Sequence, residues 1–202
     1  MTPPRDNEMK RNKLIRYIAL FAALICTVSL LGACGKDSGS AENCTAVITI
    51  RDYGKITVAL DADAAPITVA NFVKLAESGF YDGLTFHRII EGFMMQGGES
   101  KTQTADTIKG EFSANGVKNS LSHTRGVISM ARNSISMDSA SSQFFIVQED
   151  STFLDGQYAA FGYVTDGMDV VDAVCTDAKP TDNNGSIAAS AQPVIKSIVI
   201  EK

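Results

Sequence analysis

The sequence predicts a mainly β protein whose strands form an antiparallel barrel. About eight short runs are rich in β-branched and aromatic residues, whereas only two segments carry a helical pattern. These two helices do not alternate with the strands, as they would in a βαβ protein with a parallel sheet. With 202 residues, the chain has room for one such domain and a short extension.

The sequence of the first part of the domain predicts a hairpin followed by a helix. Two strand-like runs, 46–50 and 55–60, are separated by a turn. Pro66 stands where proline is favoured at the start of a helix, apolar residues then recur on one face, and Gly79 ends the pattern. We expect the apolar face of this helix to cover one open end of the barrel.

The later elements are mostly short strands separated by polar loops. The break between the third and fourth strands falls at Gly92, where a turn is expected. Long polar loops such as the two predicted here are usually functional or disordered. The predicted strands are 84–89, 93–97, 127–131, 144–147, 159–164 and 194–200, the second helix is 167–174, and the loops are 99–125 and 177–192.

Residues 1–33 resemble the signal peptide of a bacterial lipoprotein. A basic stretch at 10–16 precedes an uncharged apolar run at 17–31, which is shorter than the about 20 residues that a membrane-spanning helix needs. Small residues precede Cys34, so we expect cleavage there and a lipid on Cys34. An uncleaved anchor helix is the alternative. Residues 34–44 would be a flexible tether, holding an extracytoplasmic, lipid-anchored domain (45–202) at a bacterial membrane.

Cysteine use leaves one question open. Cys26 lies in the signal peptide and Cys34 is the lipid acceptor, which leaves Cys44 and Cys175. Outside the cytoplasm this pair could form a disulfide or remain as two thiols, and the sequence does not decide between them.

Composition and motifs exclude several classes of function. The hydrophobic content of 45% and charged content of 20% are those of an ordinary globular protein. A net charge of -5, without a basic run in the domain, argues against a nucleic-acid partner. No HExxH or GxSxG pattern supports zinc hydrolysis or a serine triad, so we expect neither a metal nor a cofactor.

Residues 86–98 are the most informative segment. They place Arg88 inside an apolar, strand-forming run, where a guanidinium can be buried only if a partner or a substrate accepts its hydrogen bonds. Gln96 closes the same run, and a second cluster at 142–146 adds Gln143. An apolar pocket edged by one guanidinium and two amides suits a neutral, carbonyl-rich ligand such as a peptide. His87 is expected to face away from Arg88 as a hydrogen-bonded structural residue.

The run FHRIIEGFMMQGG resembles the signature of the cyclophilin family of peptidyl-prolyl cis/trans isomerases, except that Glu91 replaces a common proline. Segments 65–72, 126–131, 142–146 and 153–162 resemble further family motifs in the same order. The resemblance implies a closed eight-stranded antiparallel β-barrel capped by two α-helices. It also implies a monomeric prolyl isomerase that acts without a cofactor.

The family resemblance also implies roles for individual residues. Arg88, Gln96 and Phe93 would carry catalysis. The proline-containing substrate would be bound by Met94, Ala131, Gln143, Phe145, Phe153, Leu154 and Tyr158. Many family members have Trp in place of Phe153, His in place of Tyr158 and Asn in place of Arg132, so peptide preference is expected to differ here.

Two functions from different classes remain at this point. The first is an isomerase that rotates X–Pro bonds in exported or surface proteins, with proline-containing peptides and unfolded client proteins as its partners. The second is a membrane-tethered, peptide-binding chaperone module with little turnover. Retention of Arg88 together with Gln96 and Phe145 favours the enzyme, because a pure binder does not need a charge at the twisting bond.

Overall fold

The computed structural model describes residues 42–201. It contains eight strands and two helices within that range, with three short 3-10 turns. The strands are β1 (Cys44–Ile50), β2 (Gly54–Leu60), β3 (Phe86–Ile90), β4 (Met94–Gly97), β5 (Val127–Met130), β6 (Phe144–Val147), β7 (Ala160–Asp166) and β8 (Ile195–Glu201), and the helices are α1 (Pro66–Glu77) and α2 (Met168–Asp177).

All eight strands belong to one antiparallel sheet with the order β3-β4-β6-β5-β7-β2-β1-β8. Every pairing between neighbours is antiparallel, as the sequence predicts. In β1 and β2 the burial alternates residue by residue, so one face of the sheet is packed and the other is open. The predicted mainly β fold with two helices is confirmed.

The outer edge of β3, one end strand of this sheet, is covered by the segment that follows α2. The Ile89 amide donates to the Gly185 carbonyl at 2.8 Å, and the Ile187 amide donates to the His87 carbonyl at 2.9 Å. Residues 177–192, predicted as a loop, therefore supply a short stretch of strand-like pairing. This pairing satisfies backbone groups that an end strand would otherwise expose.

Helix α1 begins at Pro66, as predicted, and its start is capped by a residue from the long polar loop 99–125. The Glu111 carboxylate accepts hydrogen bonds from the amides of Ile67 at 3.0 Å and Thr68 at 2.7 Å. Glu111 is only 2% exposed, so these bonds and the positive end of the helix compensate its buried charge. The loop 99–125 is thus anchored to the start of α1, although it has little regular structure.

The buried face of α1 packs onto an aromatic cluster inside the sheet. The Phe72 ring lies 5.3 Å from Tyr81, 5.5 Å from Phe144 and 5.2 Å from Phe161, measured between centroids. Each of these side chains is fully buried. The apolar face of α1 is thus buried as predicted, and that it covers an open end of a barrel stays a prediction.

Cys44 and Cys175 are both thiols in the structure, so the two-thiol alternative holds. Cys44 begins β1 and lies opposite Leu60, at the open end of the β1–β2 hairpin. Cys175 lies in the last turn of α2, and that turn packs at the other end of the hairpin, where the Tyr53 hydroxyl donates to Asp177 Oδ2 at 3.4 Å. The length of β2, about 20 Å at about 3.4 Å per residue, separates those two ends, whereas a disulfide requires Cα atoms within about 7 Å.

The predicted signal peptide (1–33), the lipid acceptor Cys34 and most of the predicted tether (34–44) lie outside the described residues. Within residues 42–201, no helix is long and apolar enough to cross a membrane.

Candidate active site

A β-bulge in β3 directs Arg88 out of the core. Phe86 pairs with Gly97 and Arg88 pairs with Gln96, so two residues of β3 span one step of β4. As a result Phe86 and Ile89, three positions apart, are both fully buried in the core, while Arg88 lies on the opposite face. Bulges of this kind often re-aim a side chain beside an active site.

Arg88 is held from three sides. Its Nε donates to the Asn184 carbonyl at 2.8 Å, and its Nη1 lies 3.3 Å from Gln96 Oε1 and 3.7 Å from Met94 Sδ. Gln96 Nε2 in turn donates to Gln143 Oε1 at 2.9 Å. None of the described residues accepts a hydrogen bond from Arg88 Nη2, so this group remains available to a ligand.

An apolar recess of about 330 Å³ lies beside this guanidinium. Its floor is buried: Met94 is 1%, Phe145 5% and Leu154 9% exposed. Met94 and Phe145 come from the neighbouring strands β4 and β6, whereas Leu154 ends a 3-10 turn. The residues lining the recess are Arg88, Phe93, Met94, Gln96, Ala131, Arg132, Phe145, Leu154 and Tyr158.

Eight of the ten residues predicted for catalysis and substrate binding therefore lie around one recess. Gln143 lies beside them and lines an adjoining cavity of about 340 Å³. Phe153 is 66% exposed and does not line the recess, but its ring lies 5.6 Å from the Phe93 ring at the rim. The structure thus brings the predicted set together, and the role of each residue stays a prediction.

Sequence reasoning missed a buried polar group beneath the recess. His123 is 1% exposed, its Nδ1 lies 2.7 Å from Asp155 Oδ1, and its Nε2 lies 3.0 Å from Ser129 Oγ. Its ring stacks on Phe145, with centroids 6.0 Å apart and an angle of 15° between the planes. Burial lowers the pKa of His123 despite the nearby Asp155 carboxylate. The ring is therefore neutral near pH 7.

The hydrogen-bonded side chains of Ser129, His123 and Asp155 are arranged like a hydrolytic triad, but they cannot act as one. Ser129 is fully buried, so no substrate carbonyl can reach its hydroxyl. The group instead supports Phe145 from below, because His123 packs against that ring while both its nitrogens are engaged. These three residues form no local motif, so the group could not be predicted from the sequence.

His87 differs from the expectation of a hydrogen-bonded histidine. It sits at the bulge, half-buried, and its buried Nδ1 has no hydrogen-bond partner among the described residues. Burial is the main cause that lowers the pKa of His87; the charge of Glu99 opposes this shift, and the charges of Arg88 and Lys101 add to it. His87 is thus neutral near pH 7 and contributes no charge next to Arg88.

Comparison with known proteins supports the same family as the motifs. The family model described as "Cyclophilin type peptidyl-prolyl cis-trans isomerase/CLD" matches residues 45–201. Peptidyl-prolyl cis-trans isomerase A of Dickeya dadantii is 42% identical over 160 residues, covering 77% of this chain and 83% of that protein. Peptidyl-prolyl cis-trans isomerase B of Bacillus subtilis is 46% identical over 129 residues, covering 62% of this chain and 86% of that protein.

A solved structure has the same fold. It is a cyclophilin type peptidyl-prolyl cis-trans isomerase of Cryptosporidium parvum, crystallised in the presence of the dipeptide Ala-Pro. The TM-score is 0.66 at 27% identity, and the match covers 78% of this chain and 99% of that one. The motifs, the fold, the family model and these relatives agree: this chain belongs to the cyclophilin-type peptidyl-prolyl cis-trans isomerase family.

Proposed function

We propose that this protein rotates X–Pro bonds in proline-containing peptides and unfolded proteins outside the cytoplasm. The observation that carries the proposal is the position of Arg88. Its guanidinium is fixed by Asn184 and Gln96 at the edge of an apolar recess, with Nη2 free of hydrogen bonds to the described residues. A binding pocket for a proline ring and a donor for the twisting amide are therefore adjacent.

The chemistry needs only this arrangement. Rotation about an X–Pro bond has a barrier of about 18–20 kcal/mol because twisting removes amide resonance. In the twisted state the proline nitrogen becomes pyramidal and more basic, so a donor aimed at it, or at the neighbouring carbonyl oxygen, stabilises that state over both planar ones. Arg88 supplies such a donor through the planar fork of N–H groups that a guanidinium carries. This is stabilisation by preorganised electrostatics.

The recess provides the other half of the mechanism. Phe145, Met94 and Leu154 offer a buried apolar surface that would hold the proline ring still while the preceding residue rotates. His123 supports Phe145 from below through its stacked ring. Gln96 and Gln143 are bonded to each other and would orient Arg88 and the peptide backbone. All these groups come from one chain, which is consistent with a monomer.

We infer that the sheet closes into a barrel. Thr85 and Val194, which immediately precede β3 and β8, form an antiparallel bridge, and the Ile195 amide donates to the Leu84 carbonyl at 2.8 Å. Closure would fix β3 on both sides and thereby fix Arg88. If the barrel is closed, the amide of Ile195 should resist hydrogen exchange as strongly as amides within β1; fast exchange there would indicate an open sheet.

We also propose that a lipid on Cys34 tethers the domain to a membrane, where it assists the folding of exported or surface proteins. The apolar run at 17–31, the small residues before Cys34 and the polar residues after it support this. Fractionation of cells that express Cys34→Ala tests the tether. The variant should leave the membrane or keep its signal peptide; unchanged size and attachment would indicate an uncleaved helix.

A protease-coupled assay on an Ala-Pro peptide tests the activity. The full-length mature protein should accelerate the slow phase of cleavage in proportion to its concentration, and Arg88→Ala should remove most of that acceleration. Peptide binding measured by calorimetry in the same samples separates the alternatives. Binding without acceleration would overturn the isomerase and favour the peptide-binding module.

A further inference from the structure

A second arginine stands across the recess from Arg88. Arg132 lies in the segment 131–141, which we call the loop rim, whereas Arg88 belongs to the β3–β4 hairpin, residues 86–97, which we call the strand rim. Arg132 lines both the recess and the adjoining cavity of about 340 Å³. Because the two cavities share Gln96, Ala131 and Arg132, a peptide that leaves the recess on that side passes Arg132.

The Arg132 guanidinium is held in place by two aromatic rings and two carbonyls. Its Cζ atom lies 4.9 Å from the centroid of the Tyr158 ring and 5.4 Å from that of Phe112. Its Nε donates to the Gln157 carbonyl at 2.8 Å, and its Nη1 donates to the Asn133 carbonyl at 2.9 Å. These contacts fix the plane of the guanidinium but do not neutralise its charge.

No carboxylate pairs with Arg132 in the part of the chain that the structure describes. The ion pairs recorded there join Arg125 to Asp172 and His123 to Asp155. Asp138, the acidic residue of the loop rim, is engaged by the Gly110 amide at 2.9 Å and by Asn115 Nδ2 at 2.6 Å. Arg132 Nη2 has no hydrogen-bond acceptor among the described residues.

The charge of the two cavities is opposite in sign to that of the chain. The whole chain carries a net charge of -5. The residues that line the two cavities nevertheless include two arginines, Arg88 and Arg132, and no Asp, Glu or Lys. Since Arg88 faces the bond that rotates, Arg132 is the cation left to meet a side chain of the bound peptide.

We propose that Arg132 determines specificity, giving this site a preference for proline peptides with an acidic side chain near the proline. The proposal rests on the proposed isomerase function. An extended peptide advances by about 3.3 Å per residue, so a side chain two positions from the proline can reach the adjoining cavity. There a carboxylate accepts hydrogen bonds from the unoccupied Nη2, with the planar geometry that arginine offers to carboxylates.

The test uses one neutral Ala-Pro peptide and a set of variants with Glu, Gln or Lys placed two residues before or two residues after the proline. Isomerisation is followed by NMR exchange, which avoids the sequence preference of a coupling protease. In one of the two positions, kcat/KM for Glu should exceed that for Lys by about three- to tenfold, as expected for a partly exposed charge-assisted hydrogen bond. The Gln peptide should lie between them.

Three variants separate specific recognition from bulk electrostatics. Arg132→Gln should bring the Glu/Lys ratio to about one, whereas Arg132→Lys should keep part of it, since the charge remains. Arg51→Gln removes the same charge in the exposed β1–β2 turn and should leave the ratio at its parental value. Circular dichroism and urea unfolding report whether each variant is folded.

The outcomes distinguish the inference from the function on which it rests. Equal kcat/KM for the Glu, Gln and Lys peptides, or a ratio that persists in Arg132→Gln, overturns the specificity inference while the isomerase stands. If the neutral peptide is not isomerised, the proposed function fails. The same peptides are then titrated by NMR, and tighter binding of Glu than Lys that disappears in Arg132→Gln still supports the role of Arg132.

Discussion

The two rims of the recess hold their arginines by different means. On the strand rim, Arg88 lies in a ladder that is paired on both sides, with β4 on one edge and residues 185–187 on the other. On the loop rim, Arg132 lies two residues after the end of β5 and rests on two aromatic rings. One arginine thus belongs to a strand that is paired on both edges, whereas the other belongs to a loop, where two rings and two carbonyls hold its guanidinium.

This difference indicates a division of labour. A group that stabilises a transition state must already be in position when the reaction occurs, which favours rigid secondary structure. A group that selects among substrates can lie on a loop, where sequence changes alter the surface without disturbing the sheet. We therefore expect damage to the strand rim to lower the rate for every substrate and damage to the loop rim to alter the choice among substrates.

The largest effect is expected at Arg88. Replacement of Arg88 by Ala should lower kcat/KM on the neutral Ala-Pro peptide by about 10²–10³-fold, the scale for one preorganised donor. Arg88→Lys should recover little of this, because a flexible point charge does not reproduce the planar fork. The measurement is NMR exchange together with calorimetry, and the dissociation constant should change much less than the rate. A folded Arg88→Ala protein with the parental rate would contradict this role.

A second large effect is expected where the strand rim receives its outer support. Gly185 has φ of +84°, and a Cβ there would lie 2.5 Å from Ile90 Cγ1 and 2.6 Å from the Ile89 carbonyl oxygen. Gly185→Ala should therefore push residues 184–187 away from β3 and displace the carbonyl that holds Arg88. We expect a loss of stability of about 1–3 kcal/mol, together with a lower kcat/KM on all peptides.

Gly116→Ala is the matched control for this change. Gly116 has φ of +74°, but a Cβ there would meet nothing within 4 Å. Its replacement adds similar backbone strain without the clash against β3. The control should lose some stability in urea unfolding and keep the parental kcat/KM. Equal loss of activity in both variants would show that general destabilisation, not the support of β3, is responsible.

The sequence predicts the residues of the strand rim better than the contacts that hold them in place. Arg88, Gln96 and Phe145 lie in contiguous runs with strand-like composition, so both their elements and their shared pocket can be inferred. The carbonyl of Asn184, which binds Arg88 Nε, is a backbone group that any residue would supply. The sequence around Gly185 therefore carries no signal for this contact, and 177–192 is predicted only as a loop.

On the loop rim, contacts between side chains are likewise not predictable from the sequence. The sequence marks Arg132 as a departure from the common family pattern. It does not show that the ring of Phe112, from the distant loop 99–125, lies against the Arg132 guanidinium. Contacts between distant irregular segments depend on tertiary packing. Hydrophobic periodicity in the sequence indicates only local secondary structure, so it does not predict such contacts. The bulge at His87 is partly visible in advance, because Phe86 and Ile89 are apolar but three positions apart.

A smaller effect is expected from loosening the loop rim. Asn133 Oδ1 accepts hydrogen bonds from the amides of Ile135 at 3.0 Å and Ser136 at 2.9 Å, which closes the turn after Arg132. Asn133→Ala should cost about 0.5–2 kcal/mol, as for other side-chain caps. The ratio of kcat/KM between Glu and Lys peptides should fall more than the rate on the neutral peptide. A proportional fall in all three rates would remove the distinction between the rims.

The smallest effect concerns pH, and it contrasts the histidine of the strand rim with the one beneath the recess. Burial lowers the pKa of both His87 and His123. The unfolded chain therefore binds protons as the pH falls through about 6.5, the ordinary value for histidine, while the folded protein resists them. Protons thus favour the unfolded state, and the free energy of unfolding should decrease from about pH 7.5 to about pH 5.

Urea unfolding at intervals across that range measures the slope, and His87→Gln apportions it. Since His87 Nδ1 has no partner among the described residues, its replacement loses no hydrogen bond at that atom and should flatten the slope without a large cost at pH 7.5. His123→Gln should instead destabilise the protein at every pH, because Asp155 and Ser129 lose a buried partner. A parental protein whose stability does not change with pH over this range would show that neither histidine resists protonation.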